Sequence, residues 1–178
     1  MVKILKFFAY FSFFILALIY FIPKQSLYYA TEKELQKEKI IFSNEEVVQN
    51  AFSLELKHLD LSYASIESAK AQSVNVKLFA LYNSIVIKGV ELSSVASAFA
   101  PLRVERLEVR YSVLNPLNAL FSANGEFGEI EGQFNIKDKN VSLILKPTPL
   151  MLNQYKSTMR EFKKNERGEY EYDKIIQP

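Results

Sequence analysis

The sequence predicts a mainly β protein with a few helices. An N-terminal transmembrane helix precedes a curved antiparallel sheet or β-sandwich-like domain, which ends in a C-terminal helix. Three observations carry that prediction. One uncharged apolar run lies near the N-terminus, apolar and charged residues then alternate with period two in segment after segment, and one late segment places apolar residues at helical spacing.

The first element spans Phe7 to Ile22, FFAYFSFFILALIYFI, without a charge, and Ile4 and Leu5 extend it on the near side of Lys6. At 1.5 Å per residue the stretch from Ile4 covers about 28 Å, close to the thickness of a bilayer's hydrocarbon core. Phe7, Phe8, Phe11, Phe14, Ile15, Leu16, Leu18, Ile19, Phe21 and Ile22 are its expected lipid-facing anchor residues. Lys3 and Lys6 precede the run, so the positive-inside rule keeps the N-terminus cytoplasmic, although Lys24 on the other flank weakens the contrast. Tyr20, Tyr28 and Tyr29 fall where an outer aromatic belt would lie, and with Lys3, Lys6 and Lys24 they form the expected membrane-interface set. A cleaved signal peptide would want small residues before the cleavage point. Here PKQSLYYAT follows Ile22, which favours an uncleaved anchor over residues 7–22 behind a cytoplasmic tip, 1–6.

Residues 23–39 begin with Pro23, where the anchor helix exits, and continue as QSLYYATEKELQKEK, a polar run of good helix formers without a strong apolar stripe. They read as a helical stalk. From residue 40 to 178 the chain reads as one β-rich domain on the far side of the membrane. Leu54 and Leu56 alternate with Glu55 and Lys57; the phase then slips at His58 and resumes as Leu59, Leu61 and Tyr63, which predicts a bulge. Val74, Val76 and Leu78 follow, then Ile85 and Ile87, stopped by Gly89. Leu107, Val109, Tyr111 and Val113 alternate with Glu108, Arg110 and Ser112, and Ile130, Gly132, Phe134 and Ile136 alternate with Glu129, Glu131, Gln133 and Asn135. A turn at Lys137 to Asn140 leads into Val141, Leu143 and Leu145, and a short EYEY segment after Gly168 suggests a last strand.

Strands with one apolar and one charged face belong to a sheet packed on one side and wet on the other. The packed side needs a cover. The candidates are a second sheet layer, the short apolar pieces Val95 to Phe99 and Pro116 to Phe121, and a late helix from about Leu150 to Lys164. Leu152, Tyr155, Met159 and Phe162 form the apolar stripe of that helix, as core packing or as a partner-binding face.

Composition narrows the chemistry. The 178 residues carry 22 basic and 20 acidic side chains, a formal charge of +2, which gives no electrostatic reason to expect direct nucleic-acid binding. Cysteine is absent and His58 is the one histidine, which removes thiol chemistry and multi-histidine metal sites. No nucleophile elbow, zinc-protease helix or glycine-rich phosphate loop occurs. Glu129 and Glu131 alternate with apolar residues and belong to a solvated face. The expectation is a protein that is not an enzyme and holds no cofactor or metal.

Several features in order form a recognisable pattern: an anchor ending in Pro23, a polar helical stalk, the first strand run LELKHLDLSYASI, and RVERLEVRYSVLNPLNALFSANGEFGEIEGQFNIKDKNVSLIL. In the last of these a strand runs into N-P-L-N-A-L-F and then a G-E-F-G-E-I-E-G-Q-F hairpin. This arrangement resembles type II secretion system protein N and the wider AsmA-like group of periplasmic β domains. The chain is shorter and poorer in glycine than most of the former. The resemblance implies a single-pass component of a bacterial inner membrane with a periplasmic C-terminal domain. Such a component would be an accessory or structural part of a type II secretion, type IV pilus or DNA-uptake (competence) machine, working through protein partners. The lipid-handling members of the group, and the similarly built lipopolysaccharide-export component, imply the alternative of a periplasmic lipid-binding or lipid-transport module.

Overall fold

The computed structural model describes residues 2–79 and 81–176; Met1 of the expected tip, and Ala80, Gln177 and Pro178 of the expected β domain, lie outside the described residues. Helix α1 (Val2–Phe21) leads into α2 (Lys24–Lys37). One open antiparallel sheet follows: β1 (Ile40–Ser43), β2 (Glu46–Gln49), β3 (Ser53–Tyr63), β4 (Ile66–Phe79), β5 (Tyr82–Leu92), β6 (Arg103–Ser112), β7 (Asn118–Gly125), β8 (Gly128–Asn135), β9 (Asn140–Pro147), β10 (Lys163–Lys164) and β11 (Tyr170–Ile175). Helices α3 (Pro149–Gln154) and α4 (Lys156–Met159) lie between β9 and β10. From β3 to β9 each strand pairs with the next in sequence, and β11 then pairs with β9. Of the two architectures that the alternation allows, this is the single sheet.

Period two decides what each face carries. One row of paired residues runs Leu54, Val76, Ile85, Val109, Phe121, Gly132, Leu143, Tyr172, and the next Leu56, Val74, Ile87, Leu107, Ala123, Ile130, Leu145, Tyr170. Each crosses eight strands without a charge. The opposite face carries rows such as Lys57, Ser73, Lys88, Arg106, Asn124, Glu129, Lys146, which keeps it wet.

The phase slip at His58 belongs to something larger than a bulge in one strand. His58 adopts φ 56°, and pairing skips it together with its neighbour Gln72 without shifting the register of β3 on β4. The same skip passes between Gln72 and Gly89, φ 60°, and between Gly89 and Glu105. On the other side the edge strand breaks at Asn44, φ 65°, and Glu45, splitting β1 from β2. The crease ends at β6, where Glu105 is a true bulge against β7. In each of β3 to β6 the alternation reverses there, as in Leu56 to Leu59 and Ile87 to Val90, so the apolar residues stay on one face. Gly89 therefore does not stop a strand, as the sequence suggests. It lets β5 run on to Leu92.

The apolar face is covered at its two flanks. Leu54, Leu56, Leu59, Ala71 and Val74 form a buried cluster near the β1 edge, over which Tyr28 of α2 packs. Phe127, Leu145, Met151 and Met159 form a second cluster near the β11 side. Each fully buried side chain of this size contributes about 1.5–3 kcal/mol.

The expected long late helix is two short ones. Thr148 caps α3, its Oγ1 accepting from the Met151 N–H, and Pro149 starts the first turn; Tyr155 then leaves helical geometry at ψ 43°. The break turns the stripe. Met151, not Leu152, is buried, while Leu152 is 38 % exposed; Tyr155, Met159 and Phe162 do pack on the cluster, and Lys163 and Lys164 are strand. The other proposed covers do not form a lid over the sheet among the described side chains: Val95 and Phe99, around the 3₁₀ turn Ser94–Ala98, are exposed, and Asn118 to Phe121 belong to β7.

Candidate functional site

Helix α1 has 20 residues and is long and apolar enough to cross a membrane. Phe7, Phe8, Phe11, Phe14, Leu16, Leu18 and Phe21 project from it exposed, whereas Ile15 and Ile22 are half-buried and Ile19 is buried. Lys3, Lys6 and Tyr20 are exposed.

Two of the expected interface residues have other work. Lys24 is buried, and its Nζ donates to the Ile19 carbonyl at 3.0 Å and the Ile22 carbonyl at 3.4 Å. It satisfies the Ile19 carbonyl that the last turn of α1 leaves open, as a cation at a helix C-terminus does. Tyr28 faces the sheet, because α2 presents Lys24, Tyr28, Glu32 and Leu35 inward at helical spacing, and its ring stacks on Phe42 at 6.5 Å. The Tyr28 hydroxyl donates to Glu45 Oε1 at 2.8 Å; burial, then this bond and the charges of Glu45 and Glu32, hold the phenol well above its ordinary range. Tyr29 alone of the pair is exposed.

The expected stalk is thus docked along the sheet edge. The Gln25 N–H donates to Gln49 Oε1 at 3.0 Å at one end of the sheet, and the Ala64 N–H donates to the Lys39 carbonyl at 2.9 Å at the other. Helix α2 runs antiparallel to β1 and β2. It fixes the end of α1 at the end of the sheet that holds the β2–β3, β4–β5, β6–β7 and β8–β9 connections, called here the α1 end.

Between its two flanking clusters the apolar face has little over it. Ile85 is 40 % exposed in the middle of the first apolar row, and Val109 and Phe121 beside it are only partly buried. A Cβ on Gly132 would stand 2.7 Å from Phe121 Cε2, so the Phe121 ring lies against the bare backbone of β8. The strip from Ile85 to Phe121 offers apolar surface and almost no hydrogen-bonding group. The chain matches no family model, no curated protein and no solved structure.

The polar face holds an open depression of about 410 Å³, where Leu120 and Ile144 are ringed by Glu131, Glu171 and Asp173. Two of these carboxylates are already engaged: Asp173 accepts from Ser142 at 2.7 Å, and Glu171 from Asn165 at 2.9 Å. Glu129 and Glu131 are exposed, on the wet face where alternation puts them. The half-covered apolar strip is the feature that sequence reasoning reached only as a possibility, since alternation reveals an apolar face but not how far a short helix reaches over it.

Proposed function

We propose that the protein is a membrane-tethered, non-catalytic binding module, held at the bilayer by α1 and working through the uncovered strip of its sheet. The observation that carries this reading is the pair of charge-free rows crossing eight strands, packed over at the flanks and open around Ile85. A continuous apolar surface of this kind marks a place where something else binds. With the resemblance to type II secretion system protein N, the reading becomes an accessory component of a secretion, pilus or DNA-uptake assembly. It sits in a bacterial inner membrane with its sheet in the periplasm and a protein partner on the strip. A photo-crosslinking residue in place of Ile85 tests it in cells. Discrete protein adducts, lost when the crosslinker is moved to the wet-face residue Lys88, are expected; no protein adduct would overturn it.

A second reading is favoured by the chemistry of the strip itself. Its two rows hold no polar side chain except the terminal tyrosines, so an acyl chain would satisfy the surface and leave no donor unpaired. In that case the same crosslinker gives lipid adducts and native mass spectrometry of the detergent-extracted chain retains a bound lipid.

A further inference from the structure

The connections at the α1 end of the sheet are apolar where turns are ordinarily polar. Phe79 and Leu81 flank the β4–β5 turn, Leu114 and Leu117 lie in the β6–β7 turn, Ile136 follows β8, and Ile176 follows β11. All are exposed, Leu114 at 86 % and Leu81 at 64 %. The Phe79 ring stacks on that of Phe52 at 5.3 Å, which holds this side chain in place. With strands about 4.8 Å apart, the β4–β5 and β8–β9 turns stand about 19 Å from each other, with the β6–β7 turn between them. Such a row suits a broad, flat occupant better than a small ligand.

The position of α1 says which occupant. The Gln25 to Gln49 bond and the Lys24 cap tie the exit of α1 to this same end, with only Ile22 and Pro23 between the two helices. Helix α2 then leads away from it along the sheet edge. The balance of charge agrees: Lys77, Lys137, Lys139 and Lys174 are exposed near these turns against the two exposed carboxylates Asp138 and Asp173, so anionic headgroups would meet a net cationic rim. The far end also exposes apolar residues, Tyr63, Ile66, Val95 and Phe99, but β3 alone holds them about 35 Å from the α1 exit.

We infer that the turn row Phe79, Leu81, Leu114, Leu117 and Ile136 is a second membrane contact, seating the end of the sheet in the headgroup region of the bilayer that α1 enters. The inference rests on the reading of α1 as an anchor. It makes the sheet stand upright on the membrane at two points rather than swing from one. The occupant is a lipid surface, through apolar tips that dip to the acyl boundary and lysines that meet phosphates.

The absence of cysteine permits a direct test on the full chain in vesicles of phosphatidylethanolamine and phosphatidylglycerol. Single variants Phe14→Cys, Leu81→Cys, Leu114→Cys and Val95→Cys are labelled with an environment-sensitive fluorophore, and a lipid carrying a quencher near its headgroup end is added. Labels at Leu81 and Leu114 are expected to lose most of their emission while the Val95 label keeps its own. A Phe14 label answers for α1 alone, with a quencher placed deep in the acyl chain. If Phe14 is quenched and Leu81 and Leu114 are not, the turn row is not a membrane contact and the anchor stands. If Phe14 is not quenched either, the anchor reading falls and takes the turn row with it. Equal quenching at Val95 and Leu114 also overturns the inference, since the far end would then lie on lipid as well.

Discussion

The side chain of Gln72 lies across Gly89, so close that a Cβ built on the glycine would stand 2.6 Å from Gln72 Cγ. The two residues face each other where β4 and β5 both skip a pair, at the centre of the crease that runs from Asn44 to Glu105. Gly89→Ala meets two penalties there. Its φ of 60° is left-handed, costing an L-residue about 1–2 kcal/mol, and the exposed Gln72 side chain must swing aside. The backbone term dominates because Gln72 has solvent to move into. Chemical denaturation in detergent should show Gly89→Ala destabilised by about 1–2 kcal/mol and Gly89→Asn by less, since asparagine tolerates this region. Equal losses for both would mean that the Gln72 contact, and not φ, sets the cost.

The strands were legible because their chemistry is local. Alternation from Leu54 to Lys57, Leu107 to Val113 and Ile130 to Ile136 names the buried face directly, and the slip at His58 marks one point of the crease. Its continuation was hidden because the matching reversals at Gln72, Gly89 and Glu105 only align once the strands are paired, and Gly89 by itself reads as a stop. The late helix failed for a local reason that periodicity ignores: Tyr155 breaks it, so a stripe drawn through Leu152 misses Met151. The docking of α2 depends on Glu45, which lies 17 residues beyond Tyr28 and carries no pattern of its own.

Tyr28 carries a pH signature. Its folded pKa lies above the ordinary phenol value of 10.0, chiefly through burial and then through its bond to Glu45. A raised folded pKa means the folded state holds the proton more tightly, so this contribution is complete below about pH 10 and is lost as pH rises beyond it. Tyr28→Phe should cost about 1 kcal/mol at neutral pH, the size of one hydrogen bond. The gap between wild type and variant should close in alkali above about pH 10. Other tyrosines and lysines titrate in the same window, so the difference between the two proteins is the quantity to follow. A gap that stays constant to high pH would show that Tyr28 is not the titrating group.

The break at Tyr155 makes neighbouring residues in α3 unequal. Met151 is 3 % exposed against Leu145 and Phe127, whereas Leu152 is 38 % exposed. Met151→Ala should therefore destabilise by about 2–5 kcal/mol, the range for emptying a filled core position. Leu152→Ala should stay within about 0.5 kcal/mol. Urea melts of the two variants side by side check this. The reverse order would restore the continuous helix with Leu152 on its buried stripe.

The strip around Ile85 should separate binding from folding. Ile85 lies in the first apolar row but keeps 40 % of its surface, while Val74, one strand away, is 6 % exposed within the flanking cluster. A charge at Ile85 can reach water past its neighbours, so Ile85→Lys forfeits only the partial burial of one side chain, about 1 kcal/mol. A charge at Val74 cannot, and Val74→Lys should unfold the β1 side of the sheet. If the strip is the binding surface, Ile85→Lys abolishes the adducts captured by a crosslinker at the adjacent Val109 while the melting temperature moves by only a few degrees. Lys88→Glu reverses a charge on the wet face of the same strand and should change neither. Undiminished crosslinking in Ile85→Lys would mean that whatever binds the chain binds elsewhere. The apolar strip would then be a core that the flanking helices leave thin.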